Sequence, residues 1–364
     1  MASAQIKSCS SKFCVCLFLQ NLVIFQTLIV AEPQFPCLFI FGDSFVDNGN
    51  NNYLHPSFRV NYLPYGIDFP AGPTGRFTNG RNIADFIAKM LGFKNFIPPF
   101  ANGTTDDILR GLNYASGGSG ILNETGSQYG VTNLSDQISN HEITISRIQK
   151  LLEEQSATKK HLSSCLYYVG IGSKDYLLNY LPQLATIYTP NHFAALLITQ
   201  YSNHLQRLYE NGARKVAVVG VDKIGCTPFL IRTYGSPNSS SCIESINNIL
   251  QIFNQQLKLL INDLNHDYPK AKFVYTRYTP FSASTRDIKI VSEACCKERT
   301  LLPLCLEGSV PCSSRDEYRF WDGVHPTEAA VAAAANTTYN DISPLFPHCP
   351  TYLWDSFDEL RSYS

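Results

Sequence analysis

Three stretches hold residue types that could cleave or transfer an acyl group. Ser44 lies in FGDSFVDNGNN at 41–51, Asp322 and His325 lie three apart in FWDGVHPTEAA at 320–330, and Gly117, Gly118 and Gly120 crowd NYASGGSGI at 113–121. Nucleophilic catalysis by a hydroxyl needs a base to take its proton, a group to orient that base, and donors for the oxyanion. Ser44 by itself reads as a turn residue. The Gly-x-Ser-x-Gly elbow is absent, because Val46 stands where its last glycine would be, and this disfavours an ordinary α/β-hydrolase. Asp322 and His325 stand at the mouth of a helix that Pro326 is expected to open, so a single turn can aim both side chains at one crevice. Asp47 and the asparagines 48, 50, 51 and 52 read as loop-shaping and capping groups with no chemistry of their own.

Those residues must be positioned by the elements around them. Cys37 to Phe41, Leu112 to Ser116, Cys165 to Gly170, Lys215 to Gly220 and Lys272 to Tyr278 are short and nearly continuous in apolar character, as strands buried on both faces should be. Between them, Leu134, Ile138, His141, Ile145, Ile148 and Leu152 step by helical spacing, as do Ile246, Leu250, Phe253, Leu257, Leu260 and Leu264. Residues 81–91 and 191–210 read as two further helices. Such alternation predicts an α/β fold: a mostly five-stranded parallel sheet between two helical layers, because parallel neighbours need a crossover that a helix supplies. Ser44, Gly117 and Gly118, and Gly172 to Asp175 each follow a predicted strand, so all three segments should meet beyond the carboxyl ends of the sheet.

The composition is that of a folded chain: 364 residues, 44% hydrophobic, 16% charged, with a formal net charge of −1. No basic run is long enough to track phosphates, which disfavours nucleic acid as a partner. Lys7 and Lys12 precede an apolar stretch from Phe13 to Ala31 that Glu32 and Pro33 end. We read residues 1–31 as a signal peptide and 32–364 as a single domain; Gln20, Asn21 and Gln26 interrupt the stretch and argue against a permanent anchor. Export is expected, with no membrane span left after cleavage. Five acceptor motifs, at Asn102, Asn123, Asn133, Asn238 and Asn336, fit N-glycosylation in that compartment. Of twelve cysteines, Cys9, Cys14 and Cys16 fall in the leader, so an odd number remains and at least one thiol should lack a mate. Cys226 and Cys242 bracket a loop and are expected to pair, and Cys295, Cys296, Cys305 and Cys312 should hold one or two more bridges. Their spacing does not suit zinc.

The four blocks FGDSFVDNGN, NYASGGSGI, VGIGSKDY and FWDGVHPTEAA, in that order, resemble the plant-type GDSL esterase/lipase family, a branch of the SGNH hydrolases with a flavodoxin-like three-layer fold. PYGIDFPAGPTGRFTNGR and GARKVAVVGVDKIGCTP also look like blocks of that family, so the resemblance spans essentially the whole chain beyond the leader. It implies Ser44 as nucleophile, His325 as general base, Asp322 as its partner, and the backbone N–H groups of Ser44 and Gly118 as oxyanion donors. No metal or organic cofactor is implied. One departure stands out: the family's third oxyanion donor is the asparagine of Gly-x-Asn-Asp, and here Lys174 occupies its place in Gly172-Ser173-Lys174-Asp175. Its ammonium could donate in the asparagine's stead, turn toward Asp175 and leave a gap, or mark a site that has lost most of its activity. The expected activity is hydrolysis of a small-molecule or lipid ester. Acyl transfer to an alcohol by the same triad, and a non-catalytic binding protein on the same fold, are the alternatives.

Overall fold

The computed structural model describes residues 32–54, 58–236, 240–282, 286–299 and 302–347. The presumed leader and Asn238 lie outside the described residues, as does Cys349. The chain divides at Pro33, and every element named below belongs to the unit that begins at Gln34.

Four parallel strands form the main sheet in the order β1 (Leu38–Gly42), β2 (Leu166–Gly170), β3 (Lys215–Val219) and β4 (Lys272–Thr276). Successive side chains of a strand point to opposite faces, and the sequence fills both with apolar groups. Phe39, Phe41, Tyr167, Val169, Val216 and Val218 share one core with α2 (Leu134–Leu152), α4 (Pro190–Glu210) and α6 (Glu244–Asp267). Leu38, Ile40, Leu166, Tyr168, Ala217 and Val219 share the other with α1 (Ile83–Met90) and α7 (Glu328–Ile342). The shorter helices α3 (Gln155–Ser164) and α5 (Pro228–Tyr234) complete the set of α-helices longer than four residues among the described residues. Three layers result, as the alternation predicted.

The expected fifth strand is not formed. Residues 110–116 do run along the free edge of β1: Leu38 N–H donates to Arg110, Ile40 N–H to Leu112, Tyr114 N–H to Ile40 and Ser116 N–H to Gly42. Regular pairing stops at a single bridge, Ile40 to Asn113. Gly111 has φ +115°, outside the extended region. Asn113 turns its own N–H to Pro98 and spends its side chain on Val46 O and Ala115 N–H. A second, two-stranded parallel sheet pairs β5 (Ile290–Ala294) with β6 (Tyr318–Phe320) and leads directly to Asp322.

Among the described residues there are four disulfides: Cys226–Cys242 as expected, Cys295–Cys312, Cys296–Cys305, and Cys37–Cys165, which ties the entries of β1 and β2 together. Among the described residues no helix is long and apolar enough to cross a membrane.

His141, on the core face of α2, is fully buried against Phe39, Phe41, Tyr114 and Tyr167. Burial holds its pKa down at about 3, against 6.5 for the exposed group. The unfolded chain therefore takes up a proton here before the folded one does, and the associated stability is lost as pH falls from 6.5 toward 3, by about 1.4 kcal/mol per pH unit at most. Asp47, Asp175 and Asp222, raised to about 6 by burial, act with the opposite sign between pH 6 and 4. The His141→Gln variant separates the two effects. Its urea midpoint should fall less than that of the wild type between pH 7 and pH 4.5; equal falls would contradict a neutral buried imidazole.

Candidate active site

The segment after β1 is held from three sides. Asp43 N–H donates to Gly170 O at 3.3 Å, and a Cβ on Gly42 would run into Gly170 O and Val46, so only glycine fits there. Gln137 of α2 reaches across the layer: its Oε1 accepts Gly42 N–H and its Nε2 donates to Gly42 O, both at 2.9 Å. Asp43 accepts from Phe45 N–H at 3.0 Å and from the Ser173 hydroxyl at 2.7 Å. Replacing Gln137 with leucine takes the side-chain acceptor from the buried Gly42 N–H, while Gly42 O keeps Ser116 N–H and Ser119 Oγ, at a cost of about 1–3 kcal/mol. Urea unfolding checks this, and a loss below about 1 kcal/mol would show that the glutamine is dispensable.

The polar run after Ser44 fastens the glycine turn beside it. Buried Asp47 accepts N–H groups from Gly49, Asn50 and Gly117 at 2.7, 2.8 and 3.0 Å. Asn50 donates to Asn113 O and Ala115 O, and Asn51 to Gly117 O. Ser119 Oγ donates to Gly42 O at 3.0 Å. Gly118 is thus bracketed by residues bound to the Ser44 loop, and its φ of +92° is one that a side chain would strain. The loop-shaping role read for Asp47 and its asparagines stands.

At the other end of the chain, Asp322 Oδ1 accepts the backbone N–H of Val324 at 2.9 Å and of His325 at 2.7 Å. This local turn orders the pair, and it corrects the expectation that Pro326 opens the helix. Thr327 is the cap, its side chain accepting from Ala330 N–H, and α7 starts at Glu328. His325 Nδ1 lies 2.8 Å from Asp322 Oδ2, and Nε2 lies 2.8 Å from Ser44 Oγ. An ionised carboxylate only accepts, so Nδ1 carries the proton and Nε2 is free to accept from the serine hydroxyl. Phe77 and Phe45 flank the imidazole at 5.0 and 5.7 Å between ring centres. Ser44, Asp322 and His325 are 1%, 0% and 3% exposed, so water is largely excluded from their hydrogen bonds.

Lys174 is 2% exposed, and its Nζ has no hydrogen-bond partner among the described residues. It sits 4.7 Å over the ring of Phe45, the residue that follows Ser44. Burial pulls its pKa down, while Asp43 and Asp322 favour the charged form. The lysine does not turn to Asp175, whose carboxylate takes Ile121 N–H, Leu122 N–H and the Thr125 hydroxyl. Those bonds anchor the π-helical turn Asp175–Tyr180 to the loop after Gly120.

Residues 38–337 match the family model described as GDSL-like Lipase/Acylhydrolase. The chain belongs to this family. Among its relatives in Arabidopsis thaliana, three proteins named GDSL esterase/lipase are 41%, 42% and 40% identical, over 92%, 87% and 93% of this chain and 95%, 92% and 97% of their own lengths. The chain is accordingly an ester hydrolase of the GDSL type. Of the Asn-x-Ser/Thr motifs of this GDSL hydrolase, those at Asn102, Asn123 and Asn336 have exposed asparagines. Asn133 is half-buried and caps α2 by accepting Asp136 N–H. Cys37, His161 and Cys165 converge within 4.8 Å, but the two sulfurs are bonded to each other and are not available as thiolate ligands.

Sequence reading gave no role to Gln137 or to Tyr65. Gln137 leaves a faint trace, a polar residue within the apolar stripe of its helix. Tyr65 falls in the block PYGIDFPAGPTGRFTNGR, but nothing there marks its partner, which lies 257 residues away.

Proposed function

We propose that this hydrolase is a secreted serine esterase that cleaves carboxylic esters through an acyl-enzyme on Ser44. The observation that carries the reading is the bonded chain Ser44–His325–Asp322, drawn together across 281 residues of sequence at hydrogen-bonding distance. His325 Nε2 takes the hydroxyl proton as Ser44 Oγ attacks the ester carbonyl, and the Asp322 carboxylate stabilises the imidazolium that forms. The backbone N–H groups of Ser44 and Gly118 and the Lys174 ammonium stabilise the tetrahedral oxyanion. His325 then returns the proton to the leaving alcohol. Water, giving a proton to the same imidazole, attacks the acyl-serine; the ester bond to Oγ breaks as His325 returns that proton to Oγ, and the carboxylic acid leaves. Residues 1–31 direct export, and Asn102, Asn123, Asn133, Asn238 and Asn336 receive glycans.

Purified protein should hydrolyse short-chain nitrophenyl esters, releasing nitrophenol and free acid in equal amounts. Absence of turnover would overturn the esterase reading, and recovery of the acyl group on an added polyol in place of water would reassign the protein as an acyltransferase.

A further inference from the structure

The Tyr65 hydroxyl stands 2.5 Å from Asp322 Oδ2 and 3.0 Å from the backbone nitrogen of Cys305. An amide N–H only donates, so the hydroxyl accepts from Cys305 and its one proton goes to the carboxylate. The ring is fully buried, edge-on to Tyr62 at 5.4 Å and to Phe77 at 6.4 Å. Cys305 is fixed in turn: Tyr62 donates to its carbonyl at 3.0 Å, and a disulfide joins it to Cys296. Cys296 N–H donates to the carbonyl of Trp321, the residue before Asp322, at 3.0 Å. The path Asp322, Tyr65, Cys305, Cys296, Trp321 therefore closes on itself around the carboxylate.

We infer that Tyr65 is a positioning residue for the triad, its hydroxyl fixing Asp322 Oδ2 against His325 and taking up part of the carboxylate's hydrogen-bonding capacity. The inference rests on the Ser44–His325–Asp322 reading above. Backbone donors already hold Oδ1, so without Tyr65 the imidazole would be the one hydrogen-bond donor on Oδ2 among the described residues. Burial and the Asp322 charge push the Tyr65 phenol well above its usual range, so it stays a neutral donor. Other charged or titratable groups near Asp322 are Lys174, Tyr62 and Glu298, which borders Gly323 and pairs with Arg232; Arg299 stacks 5.0 Å over the Tyr62 ring and Glu307 also acts on Tyr62.

A hydrogen bond to an anion stabilises it, and a less stabilised Asp322 holds the imidazolium more strongly. Tyr65→Phe should lower kcat/KM on a nitrophenyl ester by about tenfold. It should also move the acid limb of the pH profile up by about one pH unit. Difluorotyrosine placed at position 65 by amber suppression keeps the ring and strengthens the donor, so it should move the limb down. This second substitution decides the matter if the phenylalanine variant fails to fold. Identical midpoints in the wild type and in either folded variant would overturn the role of Tyr65 while leaving the triad intact. Turnover that survives Ser44→Ala would instead bring down the triad itself.

Discussion

Ser44→Ala is expected to lower kcat on a nitrophenyl ester by about a million-fold, leaving only the residual acceleration that binding and the oxyanion donors supply. The hydroxyl of Ser173 cannot stand in for the Ser44 oxygen, because it is committed to Asp43 at 2.7 Å. His325→Ala should cost about as much, and the double variant hardly more than either, since a nucleophile without its base and a base without its nucleophile are disabled in the same way. Such non-additivity separates a working triad from two residues that merely support the fold. Losses that multiplied would contradict the 2.8 Å contact between Nε2 and Oγ as the route of the proton.

The second large effect is expected at Lys174, and it has two signs. The amine is buried without a hydrogen-bond partner among the described residues, an arrangement that costs stability in the resting protein. Lys174→Met fills the same volume without the polar head and should raise stability by about 1–3 kcal/mol. The same change removes the proposed oxyanion donor and should lower kcat by about 100- to 1000-fold. Asparagine at 174 restores a neutral donor and should recover most of that rate. Thermal unfolding and ester turnover, measured on the same preparations, check both halves. A less stable methionine variant would mean that the amine has a ground-state partner, and unchanged turnover would mean that the ammonium takes no part in catalysis. On the proposed reading, charge developing on the substrate oxygen adds to the support that Asp43, Asp322 and the Phe45 ring already give the ammonium, and binding energy gained at that point accelerates a reaction.

Much of the fold was legible because both faces of the sheet are covered: β1 to β4 each read as a continuous apolar run, and the stripes of α2 and α6 point where their spacing said. The run from Leu112 to Ser116 has the same composition, yet the side chain of Asn113 competes for the backbone and φ at Gly111 departs from extended geometry. Composition cannot report such local competition. The strands β5 and β6 escaped notice because IVSEA and YRF are short and half-polar, with most of their residues only partly buried. At the site, the identities of Ser44, Asp322, His325 and Gly118 came from matched blocks; Ser44 lies just past β1 and Gly118 past the segment along its edge, whereas Asp322 and His325 follow β6 of the second sheet. The helix start was misplaced by two residues because proline and threonine compete for that boundary, and the Thr327 hydroxyl makes the cap. Sequence reading marked Lys174 as a departure but could not choose among its outcomes, since that choice depends on Asp175 being saturated by three donors from 121–125. Gln137 and Tyr65 act on partners 95 and 257 residues away, a separation over which a single sequence carries no signal.

The central claim is that Ser44 is a nucleophile activated by His325, and covalent capture tests it most directly. Incubation of the folded protein with a fluorophosphonate, followed by proteolysis and mass spectrometry, should give one adduct, on the peptide that contains Ser44, and none in the His325→Ala variant. A folded wild-type protein that stays unlabelled, or that carries the label on another residue, would contradict the account.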